Sequence, residues 1–325
     1  MMDIYIKEAI IHQFSPDDTE LVLADSALDI SPKIEEYLRK KIERVYSDEA
    51  KTGQFSEDQP FMSYISNDLM ASSIQLAQAW KEEFIQGEQF KTNDLVFIRF
   101  ETHGIEHFAF LRLVLRDSLV HITNEAGQTI QLSQNNFPGA GSAPDEALII
   151  NLSDKSYYLI EKRIKANGAF VNYLSQHLLQ VEPRVSAKKS IKEVEKVAQK
   201  IAGQFHQDDF QFQSKLKSTL HQHIEENQSI SPEKMADQLF DDNLTARLSF
   251  IDQVKESVPE ELSFSGIDTS RQLKRLENQK LSLSNGIELI VPNQVYEDAE
   301  SVEFIQNSDG TYSILIKNIE DIKSQ

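Results

Sequence analysis

Four lysines, Lys188, Lys192, Lys196 and Lys200, recur at every fourth position, and Lys189 stands beside the first of them. Interleaved with them, Ile191, Val194, Ala198, Ile201 and Phe205 recur at spacings of three and four. At about 100° per residue the two sets fall on opposite sides of a helix, so one side packs and the other carries ammonium groups. At a rise of about 1.5 Å per residue that lysine ridge is about 18 Å long, enough to pass several phosphates of a duplex. Lysine lacks the planar fork that reads guanine, so the chemistry on offer is grip on a sugar–phosphate backbone with little base preference. The apolar set fits either intramolecular core or the seam of a homodimer, and its two heptads are too few to decide.

The charge around this segment is uneven. The chain has 325 residues, with 33 Lys plus Arg against 52 Asp plus Glu and a net charge of −19, which opposes unselective sticking to nucleic acid or anionic membrane. Between residues 155 and 200, ten basic residues face four acidic ones, so this segment carries +6 and the rest −25. Besides the ridge it holds Lys162, Arg163 and Lys165. A weaker cluster follows at Arg271, Lys274, Arg275 and Lys280. A solvated helix face would show the same lysine stripe, and Glu193 and Glu195 soften it.

Catalytic patterns are sparse. His103-Gly104-Ile105-Glu106-His107 has the H-x-x-E-H spacing of one zinc-protease class, whose chemistry needs both imidazoles on one helical face. Strand-like runs flank it and Gly104 interrupts it, so a hairpin turn is the better reading. Asp145 or Asp154 with Glu161-Lys162-Arg163 is the nearest approach to a magnesium nuclease, without the usual Glu-x-Lys order. The Gly139-Ala140-Gly141 run is neither a dinucleotide fingerprint nor a P-loop. With no cysteine there is no disulfide or thiolate chemistry, and neither a metal nor a cofactor is expected.

The elements that must position these residues read as two domains, residues 1–182 and 183–325. In the first, strands are expected around Ile4, Ile6, Ala9 and Ile11 and again at Leu21 and Leu23, with a helix capped by Ser31 and opened by Pro32. Residues 60–85 read as helix, with Trp80 in the core. Strands at 95–100, 108–115, 119–122, 129–132, 147–152 and 157–160 make an antiparallel sheet, the Pro- and Gly-rich residues 135–145 a loop, and residues 170–181 a helix. The second domain reads as helices over about 187–205, 209–226, 232–239 and 244–257. It closes with hairpins at Ser284-Asn285-Gly286 and Ser308-Asp309-Gly310, the latter setting Phe304 opposite Ile314 and Val302 opposite Ile316. The fold class is α+β, with a mixed antiparallel-sheet N-terminal domain and a mainly helical C-terminal domain ending in β-hairpins. Asp3, Lys7 and Glu8 interrupt any signal-peptide apolar region and no stretch approaches eighteen uncharged apolar residues, so a cytoplasmic protein without membrane contact is expected.

Several segments occur together in an order that resembles the bacterial 37-kDa nucleoid-associated protein family. They are Ile10-Ile11-His12, the run from Leu21 to Leu28, Val45-Tyr46-Ser47, Gly53-Gln54-Phe55, Tyr157-Tyr158-Leu159-Ile160 and Gly286-Ile287-Glu288-Leu289. The resemblance spans nearly the full length and implies association with the nucleoid through double-stranded DNA, with no catalytic motif carried over. Together with the charge pattern it leads to the expectation of a non-enzymatic protein that contacts DNA directly or through DNA-bound proteins, at Lys188, Lys189, Lys192, Lys196, Lys200, Lys162, Arg163 and Lys165. The alternatives are an acidic scaffold that docks on DNA-processing enzymes without touching DNA and, third, a magnesium-dependent nuclease.

Overall fold

The N-terminal apolar alternation becomes β1 (Ile4–Ser15), which turns back into β2 (Glu20–Val22). A bulge between Ile6 and Glu8 shifts the register by one residue, which keeps Ile4, Ile6 and Ala9 on one face while Ile10 and Phe14 serve the other. In this computed structural model residues 3–17, 19–87, 91–124, 127–205, 210–258, 262–298, 300–319 and 321 are described. The chain divides into two units, Met1–Ser186 and Ala187–Gln325.

In the first unit, α1 (Pro32–Glu43) opens on Pro32 as expected. Ser31 occupies the cap position, but its hydroxyl makes no capping bond, a correction to the sequence reading. Proline at the first position already removes one of the unpaired amides of the first turn. β3 (Lys51–Gln54) follows, where no strand was expected. α2 (Leu69–Phe84) starts later than the apolar spacing suggests, because Pro60–Tyr64 forms a separate 3₁₀ turn and the Asp68 carboxylate accepts the Ala71 N–H to cap the helix. Then come β4 (Asn93–Thr102), β5 (Ile105–Val114), β6 (Arg116–Asn124), β7 (Gly127–Asn136), β8 (Glu146–Asn151) and β9 (Ser156–Ile160). Residues 170–181 are not one helix. β10 (Ile164–Ala166) pairs with β11 (Ala169–Val171), and a single π turn, Leu174–Leu178, follows. Asn167 and Gly168, both at positive φ, make the tight hairpin turn that the apolar spacing downstream had masked.

Seven strands form one antiparallel sheet in the order β2-β1-β4-β5-β8-β9-β3. Phe97, Phe108, Phe110, Leu148 and Ile150 pack under α2, with Trp80 fully buried as expected, while Val96, Ile98, Ala109, Leu111 and Ile149 pack under α1. Both faces are covered, which is why these strands read as unbroken apolar runs. At the sheet edge, Gly53 lies against the Tyr157 ring, where a Cβ would come within 2.3 Å of the phenol oxygen.

A polar chain is threaded through the α2 face. The Arg112 guanidinium donates to the Glu146 carboxylate at 2.6 Å and to the Asn93 side chain at 2.8 Å. The Tyr173 hydroxyl donates to the same Glu146 oxygen and accepts the Trp80 indole N–H at 2.8 Å. Burial of Glu146 is complete and pushes its pKa up against the pull of Arg112, whose own pKa the carboxylate raises despite burial. On the α1 face, buried Lys41 donates to the backbone oxygens of Gly139 and Ser142 and to the Ser142 hydroxyl, at 2.9, 2.9 and 3.0 Å. This clasp, with the Tyr37 hydroxyl donating to the Pro138 carbonyl at 2.9 Å, holds the loop 137–145 on α1. Burial lowers the Lys41 pKa to about 8.

The second unit starts with α3 (Ala187–Gln204), α4 (Phe210–Asn227), α5 (Pro232–Leu239) and α6 (Leu244–Ser257), close to the predicted spans; residue 209, the expected start of the second helix, lies outside the described residues. Ser231 caps α5 by accepting the Lys234 N–H, and Asn243 caps α6 by accepting the Ala246 N–H. α7 (Ser270–Glu277) and α8 (Asn293–Glu297) were not expected. β12 (Asn278–Ser282) pairs with β13 (Glu288–Pro292), and β14 (Val302–Gln306) with β15 (Tyr312–Ile316), which sets Phe304 opposite Ile314 and Val302 opposite Ile316 in the predicted register. Val291, Tyr296 and Val302 form the core beneath these hairpins.

Two stability consequences follow from the first unit. Replacing Arg112 by Met leaves the Glu146 carboxyl buried without its cation and is expected to cost about 3–5 kcal/mol in denaturant unfolding. His12, fully buried, accepts the Ala24 N–H at Nδ1 and contacts the Ser73 hydroxyl through Nε2, and burial lowers its pKa below 6.5. Its contribution is therefore complete above pH 6.5 and lost as pH falls through the depressed folded value. The thermal midpoint is expected to drop on acidification, with a shallower acid slope for His12→Gln.

Candidate nucleic-acid interface

α3 forms because eighteen residues run without proline and its apolar positions close on the second unit's core: Ile191, Val194, Ala198 and Ile201 are fully buried. The homodimer-seam alternative for this stripe is thereby overturned, since these side chains are spent inside their own unit. Lys188, Lys189, Lys192, Lys196 and Lys200 are all exposed on the other side. Glu193 pairs with Lys196 at 3.6 Å, and Lys200 donates to the Gln253 side chain at 2.7 Å. Glu195 turns away from the lysines to Arg275 of α7, at 3.0 Å. Of the two acidic residues, Glu193 therefore takes up one lysine of the ridge and Glu195 none. Lys189 and Lys192 have no ion pair among the described residues. Of the weaker cluster, Lys280 pairs with Glu288 at 3.0 Å.

Lys162 and Arg163 lie in the first unit, on the rim of a polar cleft of about 960 Å³. Lys91, Arg112 and Arg116 line it too, so five cations meet three carboxylates, Asp17, Asp117 and Asp145. Two cations are committed: Arg112 to Glu146, and Lys162 to Asp145 at 2.5 Å. Burial pushes the Asp145 carboxyl up, but the Lys162 bond, the Val114 N–H and Arg112 outweigh it and hold the group below the usual carboxylate range. Lys91, Arg116 and Arg163 have no ion pair among the described residues and are exposed. Sequence reasoning missed Lys91, Arg112 and Arg116 because only the register of β4, β5 and β8 brings them to Lys162. Lys165, on β10, is exposed outside this lining.

The catalytic patterns are taken up structurally. His103 and Gly104, at φ 52° and 75°, form the two-residue turn between β4 and β5, as expected, and His107 stacks on Phe100 at 5.0 Å. Asp145 and Glu161 stand at one end of the β8–β9 hairpin and Asp154 at the other. Glu161 accepts from Lys51 at 2.6 Å and from Ser175, while Asp154 accepts from Ser156. Among the described residues no group of three or more histidines and carboxylates could hold a metal ion. No helix among them is long and apolar enough to cross a membrane.

Comparison with curated proteins gives no match. A protein-family comparison does, over residues 10–323, which takes in the sheet, the cleft, the lysine ridge and both terminal hairpins. The chain belongs to the family described as nucleoid-associated protein YejK, in agreement with the resemblance drawn from its segments.

Proposed function

We propose that this protein binds the backbone of double-stranded DNA directly, with little base preference and without catalysis, and works at the nucleoid. The observation that carries this reading is α3, whose five lysines are all exposed along one side while the opposite side is locked into the core. On a chain of −19 the ridge concentrates cations along one exposed side of a single helix, where a phosphate backbone can be gripped. The cleft of the first unit is a second, shorter phosphate contact, in which Arg116 and Arg163 supply forked donors. Family membership supports the nucleoid role, and lysines without forked donors support backbone contact over base reading.

The test is an electrophoretic shift of a duplex by the full chain and by a variant carrying Lys188→Glu, Lys192→Glu, Lys196→Glu and Lys200→Glu. These positions are exposed, so helicity and thermal midpoint should hold while the shift is lost. For four neutralised phosphates the wild type should show log affinity falling with log salt at a slope of about −3.6. Arg116→Glu with Arg163→Glu should weaken binding uniformly across sequences. An unchanged shift in the ridge variant would remove α3 and leave direct contact through the cleft, whereas no shift by the wild type would leave docking on DNA-bound proteins.

A further inference from the structure

On the α1 side of the first unit, helix and sheet leave a cavity of about 230 Å³ between them. It is lined by Ile11 of β1, Val96 of β4, Leu113 of β5, Ile34 and Leu38 of α1, and Phe137 of the clasped loop. Close-packed interiors leave few gaps larger than a water molecule, and the walls of this one gain dispersion contacts from any apolar group that fills it. Water is a poor occupant. A buried water needs about two to four hydrogen-bond partners, and an apolar cavity of about 150 Å³ stays dry yet takes up benzene. Here the lining side chains offer two polar groups, the Tyr37 hydroxyl and the Lys33 ammonium, and the hydroxyl already donates to the Pro138 carbonyl. The Tyr37 ring meets Phe137 edge to face at 5.8 Å, so aromatic surface closes one wall.

The mouth of the cavity specifies the rest of the ligand. Lys33 and Phe137 are the exposed members of the lining, and Lys33 stands one turn before Tyr37 on the same side of α1. α1 carries four cations, and three are spent: Arg39 on Glu35 at 2.7 Å, Lys40 on Glu36 at 2.6 Å and Lys41 on the loop carbonyls. Lys33 has no ion pair among the described residues. An apolar chamber with one uncommitted ammonium at its edge complements an apolar body that ends in a single anion. At about 30 Å³ per carbon-sized group, the share of a water molecule in the liquid, 230 Å³ holds a chain of about eight. We propose that this cavity binds a free medium-chain carboxylate, with its alkyl chain among Leu38, Val96 and Leu113 and its carboxylate on Lys33. The site shares no residue with the lysine ridge or the cleft, so the inference does not rest on DNA binding.

Calorimetric titration of the full-length protein with sodium octanoate, in the absence of DNA, tests this. Binding should saturate at one octanoate per chain. Affinity should rise about fourfold per added methylene from butanoate to octanoate and level off by dodecanoate, because the chamber is then full. Lys33→Glu, at an exposed position, should weaken octanoate by about tenfold and leave neutral octan-1-ol within about twofold, since it changes the charge of the mouth and not the chamber. Ile34→Trp, which adds volume from a half-buried position, should abolish uptake of both ligands with the thermal midpoint held. Absence of saturable octanoate binding, equal loss of octanoate and octan-1-ol in Lys33→Glu, or an affinity that keeps climbing past dodecanoate, as in adsorption to a surface, would overturn the proposal. So would an Ile34→Trp variant that keeps the wild-type midpoint and still binds octanoate.

Discussion

The first unit depends on one buried carboxylate. Glu146 is completely removed from water on a central strand, a position tolerable only because Arg112 and Tyr173 both donate to it. Those donors come from different places: Arg112 from β5, Tyr173 from the start of the π turn and, through the phenol oxygen, Trp80 from α2. Asn93 at the start of β4 accepts the second arm of Arg112. One charge thus sets the registry of three strands, a helix and a turn. Apolar packing alone would let α2 slide by a turn at little cost, whereas any slide here breaks a hydrogen bond that has no water to replace it.

The same chain places the cleft. Arg112 is at once the partner of Glu146 and part of the cleft wall, and Asp145, the neighbour of Glu146, holds Lys162. Two of the five cations of the lining, Arg112 and Lys162, are therefore held by carboxylates on or beside β8. α3 achieves the same end differently: its lysines owe their direction to the opposite side of the helix, where Ile191, Val194, Ala198 and Ile201 leave no freedom of rotation. In the second unit a dry interior thus aims the cations at solvent.

How much of this was legible in the sequence follows from the range of the interactions concerned. The period of α3, the hairpin register at Phe304 and Ile314, the His103-Gly104 turn and the strands around 95–100 and 108–115 are local patterns, and the structure matches them. β3 was missed because Lys51-Thr52-Gly53-Gln54 has no apolar alternation and is recruited as an edge by Tyr157 and its neighbours, about a hundred residues later. The residues from 170 to 181 misled because Tyr173, Leu174 and Leu178 do have helical spacing, yet the Asn167-Gly168 turn just before them draws the chain into a hairpin. The ridge could be read whole since one helix carries it. The cleft could not, as its cations come from four strand ends that only the sheet order brings together.

The double covering of the sheet has a consequence for how the first unit breathes. Amides in the middle of β4 and β5 are bonded to a neighbour on either side and roofed by side chains above and below, so no small excursion lets solvent hydroxide reach them. Their deuterium uptake would track opening of the entire unit, while the β6–β7 ribbon, bonded along a single seam, would take up label through fraying alone.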